Sequence, residues 1–120
     1  MIQWNRKNQQ IKGSKREKGV NMTITETRDG ETIILAVEGR IDVTSSTQLQ
    51  NGILVAFQKV RNLTLDFAKC EYVSSAGLRA LLIGQKTAQS KGGQMKLINV
   101  SESFMAVLKL SGFDSIVTIE

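Results

Sequence analysis

Histidine and proline are absent from the 120-residue chain, and cysteine, tryptophan and tyrosine occur once each. Without histidine the chain has no Ser-His-Asp triad, no Cys-His dyad and no imidazole ligand for zinc. The single cysteine, Cys70, excludes an intrachain disulfide, so nothing in the composition indicates an oxidising compartment. These absences exclude most metal-independent hydrolase mechanisms. We predict a protein that is not an enzyme and that holds no metal ion or cofactor.

Long hydrophobic runs are also missing. The longest ones, at residues 33–37 and 53–57, are far shorter than the ~20 residues that a transmembrane helix needs. Residues 1–21 contain neither an apolar signal-peptide core nor a small-residue cleavage site. We therefore expect no membrane span and a cytoplasmic location.

Basic residues are concentrated at the start of the chain. The formal net charge is +5, from 16 Lys and Arg against 11 Asp and Glu. Residues 1–21 contain six of the basic residues and one acidic residue, Glu17, so this segment carries the whole excess. A basic arm can bind nucleic acid or anionic lipid, but this one lacks hydrophobic periodicity. We predict a disordered basic leader over residues 1–21 and one folded domain over residues 22–120.

The leader has a further explanation at the level of codons. Lys18-Gly19-Val20 can be encoded by a purine-rich ribosome-binding sequence immediately upstream of Met22. We therefore expect Met22 to be the native start and residues 1–21 to be a mis-called extension. The intact mass of the protein from its own host tests this expectation, because a species that begins at Met1 contradicts it.

From Met22 onward the chain alternates between strand and helix patterns. Asp29-Gly30 lies between two β-rich runs, which predicts a hairpin with positive φ at both turn positions. The continuously apolar residues 33–37 indicate a strand that is covered on both faces. Residues 39–42 are predicted to form a loop, and residues 45–48 resemble a capping box that opens a helix.

The later segments continue this alternation. Strands are predicted at residues 63–67, 95–100 and 115–119, and helices at residues 76–89 and after Ser101, which caps its helix. The order β-β-α-β-α-β-α-β predicts a single α/β domain. Its central sheet is mostly parallel, with an antiparallel edge strand from the N-terminal hairpin and helices packed on the sheet. Leu81 and Leu82 are predicted to be buried against that sheet.

Two adjacent serines stand where the second helix begins. Serine is a favoured N-cap, so capping explains one of the two hydroxyls, and we assign the cap to Ser75. Gly77 follows in the first helical turn, where glycine costs about 1 kcal/mol relative to alanine and keeps the approach to the helix end open. A phosphate on the capping serine would meet free N–H groups and the positive end of the helix dipole.

This segment resembles a motif of STAS domains, in particular those of anti-sigma factor antagonists. The pattern is a hydrophobic residue and one further residue, then Ser-Ser-Ala-Gly-Leu-Arg from Ser74 to Arg79, preceded by Leu65-Asp66-Phe67. Three further motifs agree in order, namely Gly39-Arg40-Ile41-Asp42, Gly92-Gly93 and Leu110-Ser111-Gly112-Phe113. The resemblance covers residues 22–120 and leaves the leader outside.

The resemblance implies a phosphate acceptor and a surface for a protein partner. By its place in the motif the acceptor is Ser75. Many members of the family have Asp immediately before the acceptor, whereas this chain has Ser74, which puts the preference of the kinase in question and makes Ser74 a decoy or a second minor site. The implied partner-binding residues are Asp42, Ser74, Ser75, Ala76, Gly77, Leu78 and Arg79.

The function implied by the resemblance is partner switching in bacterial transcription. The unphosphorylated antagonist binds an anti-sigma factor, usually a serine kinase, and thereby frees a sigma factor. Phosphorylation of Ser75 from ATP then releases the partner, and a serine phosphatase resets the cycle. No nucleic acid is bound in this scheme. The alternative is a STAS docking subunit of a lipid-transport ABC system or of a stressosome-like assembly.

Other residues with reactive side chains have simpler explanations. Cys70 is predicted to be a buried small hydrophobe and not a nucleophile. Residues 84–87, Gly-Gln-Lys-Thr, imitate the end of a P-loop, but the upstream glycine is missing and the segment lies within a predicted helix. Asp66 is predicted to be a solvent-side residue at a strand end. For Asp42, turn chemistry and partner contact remain equally open.

Overall fold

The computed structural model describes residues 22–120. The predictions of a disordered leader and of a mis-called start concern residues outside this range. The strands are β1 (Met22–Asp29), β2 (Thr32–Ile41), β3 (Asn62–Val73), β4 (Gln94–Ile98) and β5 (Thr118–Ile119). The helices are α1 (Ser46–Lys59), α2 (Ser75–Ser90) and α3 (Glu102–Leu110), and a 3₁₀ helix spans Phe113–Ser115. None of the helices in residues 22–120 is long and apolar enough to cross a membrane.

The five strands form one sheet in the order β1-β2-β3-β4-β5. β1 pairs with β2 in antiparallel fashion, and the three remaining pairs are parallel. Right-handed crossovers between neighbouring parallel strands place all three helices on one face of the sheet. The predicted fold class, a mostly parallel sheet with an antiparallel edge strand, is confirmed.

The core lies between that face and the helices. The strand register aligns Ile33 with Leu63 and Leu63 with Met95, and the next buried row follows two residues further along each strand. Alternate residues of a strand point to the same face, so these rows form a continuous apolar surface. Gly84 of α2 packs against this surface. A Cβ there would come within 2.8 Å of the Met95 sulfur and 2.9 Å of the Cγ2 atom of Ile53, so glycine allows α2 to approach closely.

The buried face of α2 is narrower than the sequence predicted. Leu81 is fully buried, as expected, but Leu82 is only half-buried, so the prediction for Leu82 is wrong. The buried residues of the helix are Gly77, Ala80, Leu81, Gly84 and Ala88. These positions recur at intervals of three and four residues. Leu82 is rotated by about 100° from Leu81, on the side away from Ala80, and therefore lies outside the stripe.

The first hairpin is confirmed, but its turn is shifted by one residue. Asp29 pairs with Thr32, which leaves Gly30 and Glu31 as the two turn residues. Gly30 has a φ of 63°, and among the described non-glycine residues only Asn99 has a positive φ. One left-handed residue at the first turn position is the pattern of a type II′ turn, for which glycine is preferred. The prediction that Asp29 also adopts positive φ is wrong, because Asp29 completes the strand pairing.

Two predicted loops are part of the sheet. Residues 39–42 were expected to form a loop, yet β2 continues to Ile41. Likewise β3 does not end at Phe67 but continues to Val73. The two extensions pair with each other, with register shifts after Ala36 and Gly39. The pairing persists because Ile41 and Val73 are buried, and β-bulges absorb the extra residues of β3.

The end of the chain also differs from the expectation. Residues 115–119 were predicted to form a strand, but only Thr118–Ile119 pair with β4. Gly112, with a φ of 80°, turns the chain into the 3₁₀ helix, where the Ser115 hydroxyl donates to the Gly112 carbonyl at 2.8 Å. At α3 the predicted cap is confirmed, since the Ser101 hydroxyl accepts from the Phe104 N–H at 3.2 Å.

Candidate functional site

The candidate site lies at the edge of the sheet where β2 and β3 end and α2 begins. Ile41 and Val73, the last residues of these two strands, are paired. The Ser74 N–H donates to the Ile41 carbonyl at 2.8 Å, and α2 starts at Ser75. β2 and β3 are parallel, so their carboxyl ends and the segments that follow them lie at the same edge of the sheet. The fold therefore places the loop after β2 and the first turn of α2 side by side.

The two serines have different roles in this geometry. Ser74 is the N-cap residue, with extended backbone, and its hydroxyl accepts from the Gly77 N–H at 3.1 Å. It is only 9% exposed. Ser75 is the first helical residue and is exposed, and no residue within 22–120 hydrogen-bonds to its hydroxyl. The prediction that Ser75 provides the cap is wrong, because the helix begins one residue earlier than its apolar pattern indicates.

Gly77 is a packing residue of the site. It is buried, and an added Cβ would lie 2.5 Å from Cγ2 of Ile41 and 2.8 Å from Cγ2 of Val73. The absence of a side chain therefore lets the first turn of α2 rest on the two strand ends. The sequence prediction was that this glycine keeps the helix end open to an approaching group. That explanation is wrong, since the space that a side chain would take is filled by the chain's own core.

Asp42 holds the loop between β2 and α1. One carboxylate oxygen, Oδ1, accepts from the Ser45 N–H at 2.9 Å, and the Asp42 N–H donates to the Ser45 hydroxyl at 2.9 Å. The Ser45 hydroxyl also bonds to the Arg40 carbonyl at 2.7 Å. Because Ser45 is occupied in this way, it makes no side-chain cap bond to α1, and the predicted capping box at residues 45–48 is wrong. Turn chemistry at Asp42 is thus observed, while its contact with a partner remains a prediction.

The remaining predicted partner-binding residues differ in exposure. Arg79 is exposed, Ala76 and Leu78 are half-buried, and Gly77 is buried. Of the whole predicted set, Ser75 and Arg79 thus offer the most accessible side chains. Leu78 packs partly against the core.

The sequence missed two exposed apolar side chains near the site. Val43 follows Asp42 and is 73% exposed, and Tyr72 precedes Val73 and is 40% exposed. The Arg40 guanidinium lies 4.3 Å from the centre of the Tyr72 ring, in a cation–π contact. Tyr72 points away from α2, because Val73, its neighbour in the strand, faces the core. No pattern in the sequence indicates the contact between Arg40 and Tyr72, because it depends on the register shift between β2 and β3.

Asp66 and Cys70 are structural residues of β3. Asp66 is half-buried on the face of β3 opposite to the buried Leu65 and Phe67, but it lies within the strand, so the strand-end part of that prediction is wrong. Its Oδ1 accepts from the Ala68 N–H and from the Asn99 side chain, both at 3.0 Å. Cys70 is buried as predicted, and burial raises the pKa of its thiol, which disfavours the reactive thiolate. Within residues 22–120 no cluster of acidic or cysteine side chains could hold a metal ion.

Comparisons with known proteins agree with this architecture. A family described as "Mlab, STAS domain" matches residues 24–118. BtrV of Bordetella bronchiseptica, whose name describes it as an anti-sigma factor antagonist, is 29% identical over 85 residues, which are 70% of this chain and 73% of BtrV. The anti-sigma-B factor antagonist of Bacillus subtilis is 24% identical over 100 residues, which are 83% of this chain and 92% of that protein.

A solved structure shows the same fold. It is the anti-sigma factor antagonist SpoIIAA in its unphosphorylated form, which matches with a TM-score of 0.71 and 21% identity over 82% of this chain and 88% of SpoIIAA. The phosphorylated form of SpoIIAA, from Bacillus, matches with a TM-score of 0.65 over 82% of this chain and 91% of that one, again at 21% identity. Together with the family match over residues 24–118, the five-stranded sheet and its three helices establish that this chain belongs to the STAS domain family.

Proposed function

We propose that this chain is an anti-sigma factor antagonist whose partner docks at the site formed by the Asp42 loop and the first turn of α2. Phosphorylation of Ser75 ends that association. The observation that carries the proposal is the division between the two serines. The Ser74 hydroxyl is buried and occupied as a helix cap, whereas the Ser75 hydroxyl is exposed and has no partner within residues 22–120.

The proposed chemistry follows from the position of Ser75. A phosphate adds about 1.5–2 negative charges, which a partner surface would have to desolvate or pair. The first turn of α2 contains no acidic residue, so the phosphate meets free N–H groups without a competing carboxylate from the helix itself. A loss of about 2.7 kcal/mol in binding free energy lowers affinity a hundredfold. One modification is therefore enough to release a partner of moderate affinity.

The class of partner rests on the relatives. Two of them carry the name anti-sigma factor antagonist, and one solved structure of this fold contains the phosphorylated form of such a protein. We infer by analogy a bacterial, cytoplasmic cycle in which the partner is an anti-sigma factor with serine kinase activity. A serine phosphatase resets the cycle, and the output is sigma-dependent transcription. The chain itself acts as substrate and ligand and not as an enzyme, in keeping with its family.

The second candidate is a docking subunit of a lipid-transport ABC system. It rests on the match to the STAS family over residues 24–118, whose description mentions neither a sigma factor nor phosphorylation. The same sheet edge would then bind a transporter subunit without any phosphorylation. Co-purification with an ATPase and a permease is the result expected for this function, and a stressosome-like assembly would instead yield further STAS proteins.

Phosphopeptide mapping after incubation with the cognate kinase and ATP separates these functions. We expect phosphate on Ser75 in the wild type and in Ser74→Ala, and none in Ser75→Ala. Ser75→Ala should still capture the partner in calorimetry, since the substitution leaves the helix cap in place. Ser74→Ala is the matched control and should lower the free energy of unfolding by about 1 kcal/mol through loss of the cap. Phosphate on Ser74 would move the switch by one residue, and binding without any phosphate would favour the docking subunit.

A further inference from the structure

We infer that Arg79 is the intramolecular counter-charge of the phosphate on Ser75, an inference that rests on the proposed phosphorylation of that residue. The two residues are four positions apart in α2 and both are exposed. Side chains at this spacing lie on the same face of a helix, with their Cβ atoms about 5–6 Å apart. A guanidinium carries paired N–H donors that match phosphate oxygens. The phosphate and Arg79 can therefore meet within one helical turn.

Arg79 is available for this role. Within residues 22–120 its guanidinium forms no ion pair or hydrogen bond, unlike the lysines that pair with Glu26, Glu38 and Glu120. No carboxylate stands in the first turn of α2 to compete for it. The phosphate would thus be the first anion within reach of Arg79 on its own helix.

Arg40, the other arginine near the site, is placed differently. Its guanidinium is stacked 4.3 Å from the centre of the Tyr72 ring. That ring lies on the face of the sheet opposite to the helices, because the adjacent Val73 is buried under α2. Of these two arginines, Arg79 is the one that shares a surface with Ser75.

The pairing gives the switch a second component. Before phosphorylation, Arg79 extends freely from the partner-binding surface and can contact a carboxylate of the partner. After phosphorylation, Arg79 turns back toward its own helix terminus. Phosphorylation then adds negative charge to the surface and withdraws a positive charge from it. We expect unphosphorylated Arg79→Gln to bind the partner several-fold more weakly than the unphosphorylated wild type does. The affinity of this variant for the partner should also change less on phosphorylation of Ser75.

The direct test uses full-length protein with phosphoserine installed at position 75 during synthesis, so that neither kinase nor partner is needed. A ³¹P NMR titration follows the second ionisation of the phosphate. A nearby cation favours the dianion, so the phosphate pKa should be lower in the wild type than in Arg79→Gln, by about 0.2–0.4 pH unit or roughly twofold in the dissociation constant. Arg79→Lys should retain part of the difference.

Lys86→Gln is the matched control. Lys86 is also exposed on α2, on the same face as Ser75 but about 16 Å further along the helix axis. This distance exceeds the Debye length of about 8 Å at physiological salt. The control should titrate like the wild type. Identical titration of the wild type and Arg79→Gln, or an equal shift in Lys86→Gln, would overturn the pairing.

The two proposals fail in different ways. If the cognate kinase leaves Ser75 unmodified, the proposed function is wrong, although the titration of the installed phosphoserine still reports on Arg79. If the kinase modifies Ser75 and the titration is insensitive to Arg79, the inference about Arg79 is wrong and the proposed switch stands.

Discussion

Replacing Gly77 with alanine tests whether the first turn of α2 is packed against the ends of β2 and β3. The new Cβ would lie 2.5 Å from Cγ2 of Ile41 and 2.8 Å from Cγ2 of Val73. Both neighbours are β-branched, so their side chains have few alternative rotamers. Overpacking of a core costs about 1–3 kcal/mol, and the higher helix propensity of alanine returns about 1 kcal/mol. Because both contacts are below 3 Å, we place the cost of this clash at the upper end of the overpacking range. After the gain in helix propensity, we expect the free energy of unfolding to fall by about 1–2 kcal/mol.

Gly52→Ala is the control for helix propensity. Gly52 also lies within a helix, but its added Cβ would meet the Cδ1 atoms of Ile24 at 3.5 Å and Leu35 at 4.0 Å, which are ordinary contact distances. This variant should gain about 0.5–1 kcal/mol. Urea denaturation followed by circular dichroism measures both variants. The packing argument is refuted if Gly77→Ala is as stable as the wild type or more stable, while Gly52→Ala behaves as expected.

Three further predictions concern the core, the leader and the switch. Leu81→Ala should lower the free energy of unfolding by about 2–5 kcal/mol. Leu82→Ala should lower it clearly less, because Leu82 is only half-buried. Similar denaturation midpoints for the two variants would contradict the buried face assigned to α2. Deletion of residues 1–21 should leave folding and partner affinity unchanged in calorimetry at high salt, because the described core begins with the buried Met22. A loss of binding that persists there would show specific contacts. Ser75→Asp should leave the unfolding midpoint unchanged or slightly higher, since a carboxylate at the helix start is favourable, and should weaken partner capture; unchanged capture would argue against a charge-operated switch.

The order of elements could be predicted from the sequence because it depends on local patterns. Apolar residues at intervals of three and four fix the helices, and the apolar run in β2 and the alternation in β3 fix those strands. The cap of α3 was also predictable, since Ser101 is the only serine immediately before that helix. At α2 two serines precede the apolar pattern, and the pattern alone does not say which one has left the helical conformation. The structure resolves this through the 3.1 Å bond from Gly77 to Ser74.

Two features that the sequence could not predict depend on contacts between distant segments, and a third depends on a choice between local contacts. β3 extends to Val73 only because it pairs with the end of β2, across two register shifts. The stacking of Arg40 on Tyr72 follows from that same register. The sequence predicts that Ser45 caps α1, yet its hydroxyl accepts from the Asp42 N–H and donates to the Arg40 carbonyl. For Ser45 the competing contacts are local, three and five residues away, and a serine immediately before a helix is compatible with both the cap and the turn.

The separation of the cap from the exposed hydroxyl also affects how long the protein survives in the cell. Proteases act on the unfolded fraction, which changes several-fold for a change of about 1–2 kcal/mol in folding stability. If a single serine served as both cap and acceptor, every change in its modification would alter the stability of the domain and hence its turnover. With the cap on Ser74, the hydroxyl of Ser75 can be altered while the first turn of α2 keeps its anchor. The proposed phosphorylation of Ser75 would therefore not raise the turnover of the protein through loss of this cap. The favourable interaction of negative charge with the helix start would instead lower the unfolded fraction of the modified form.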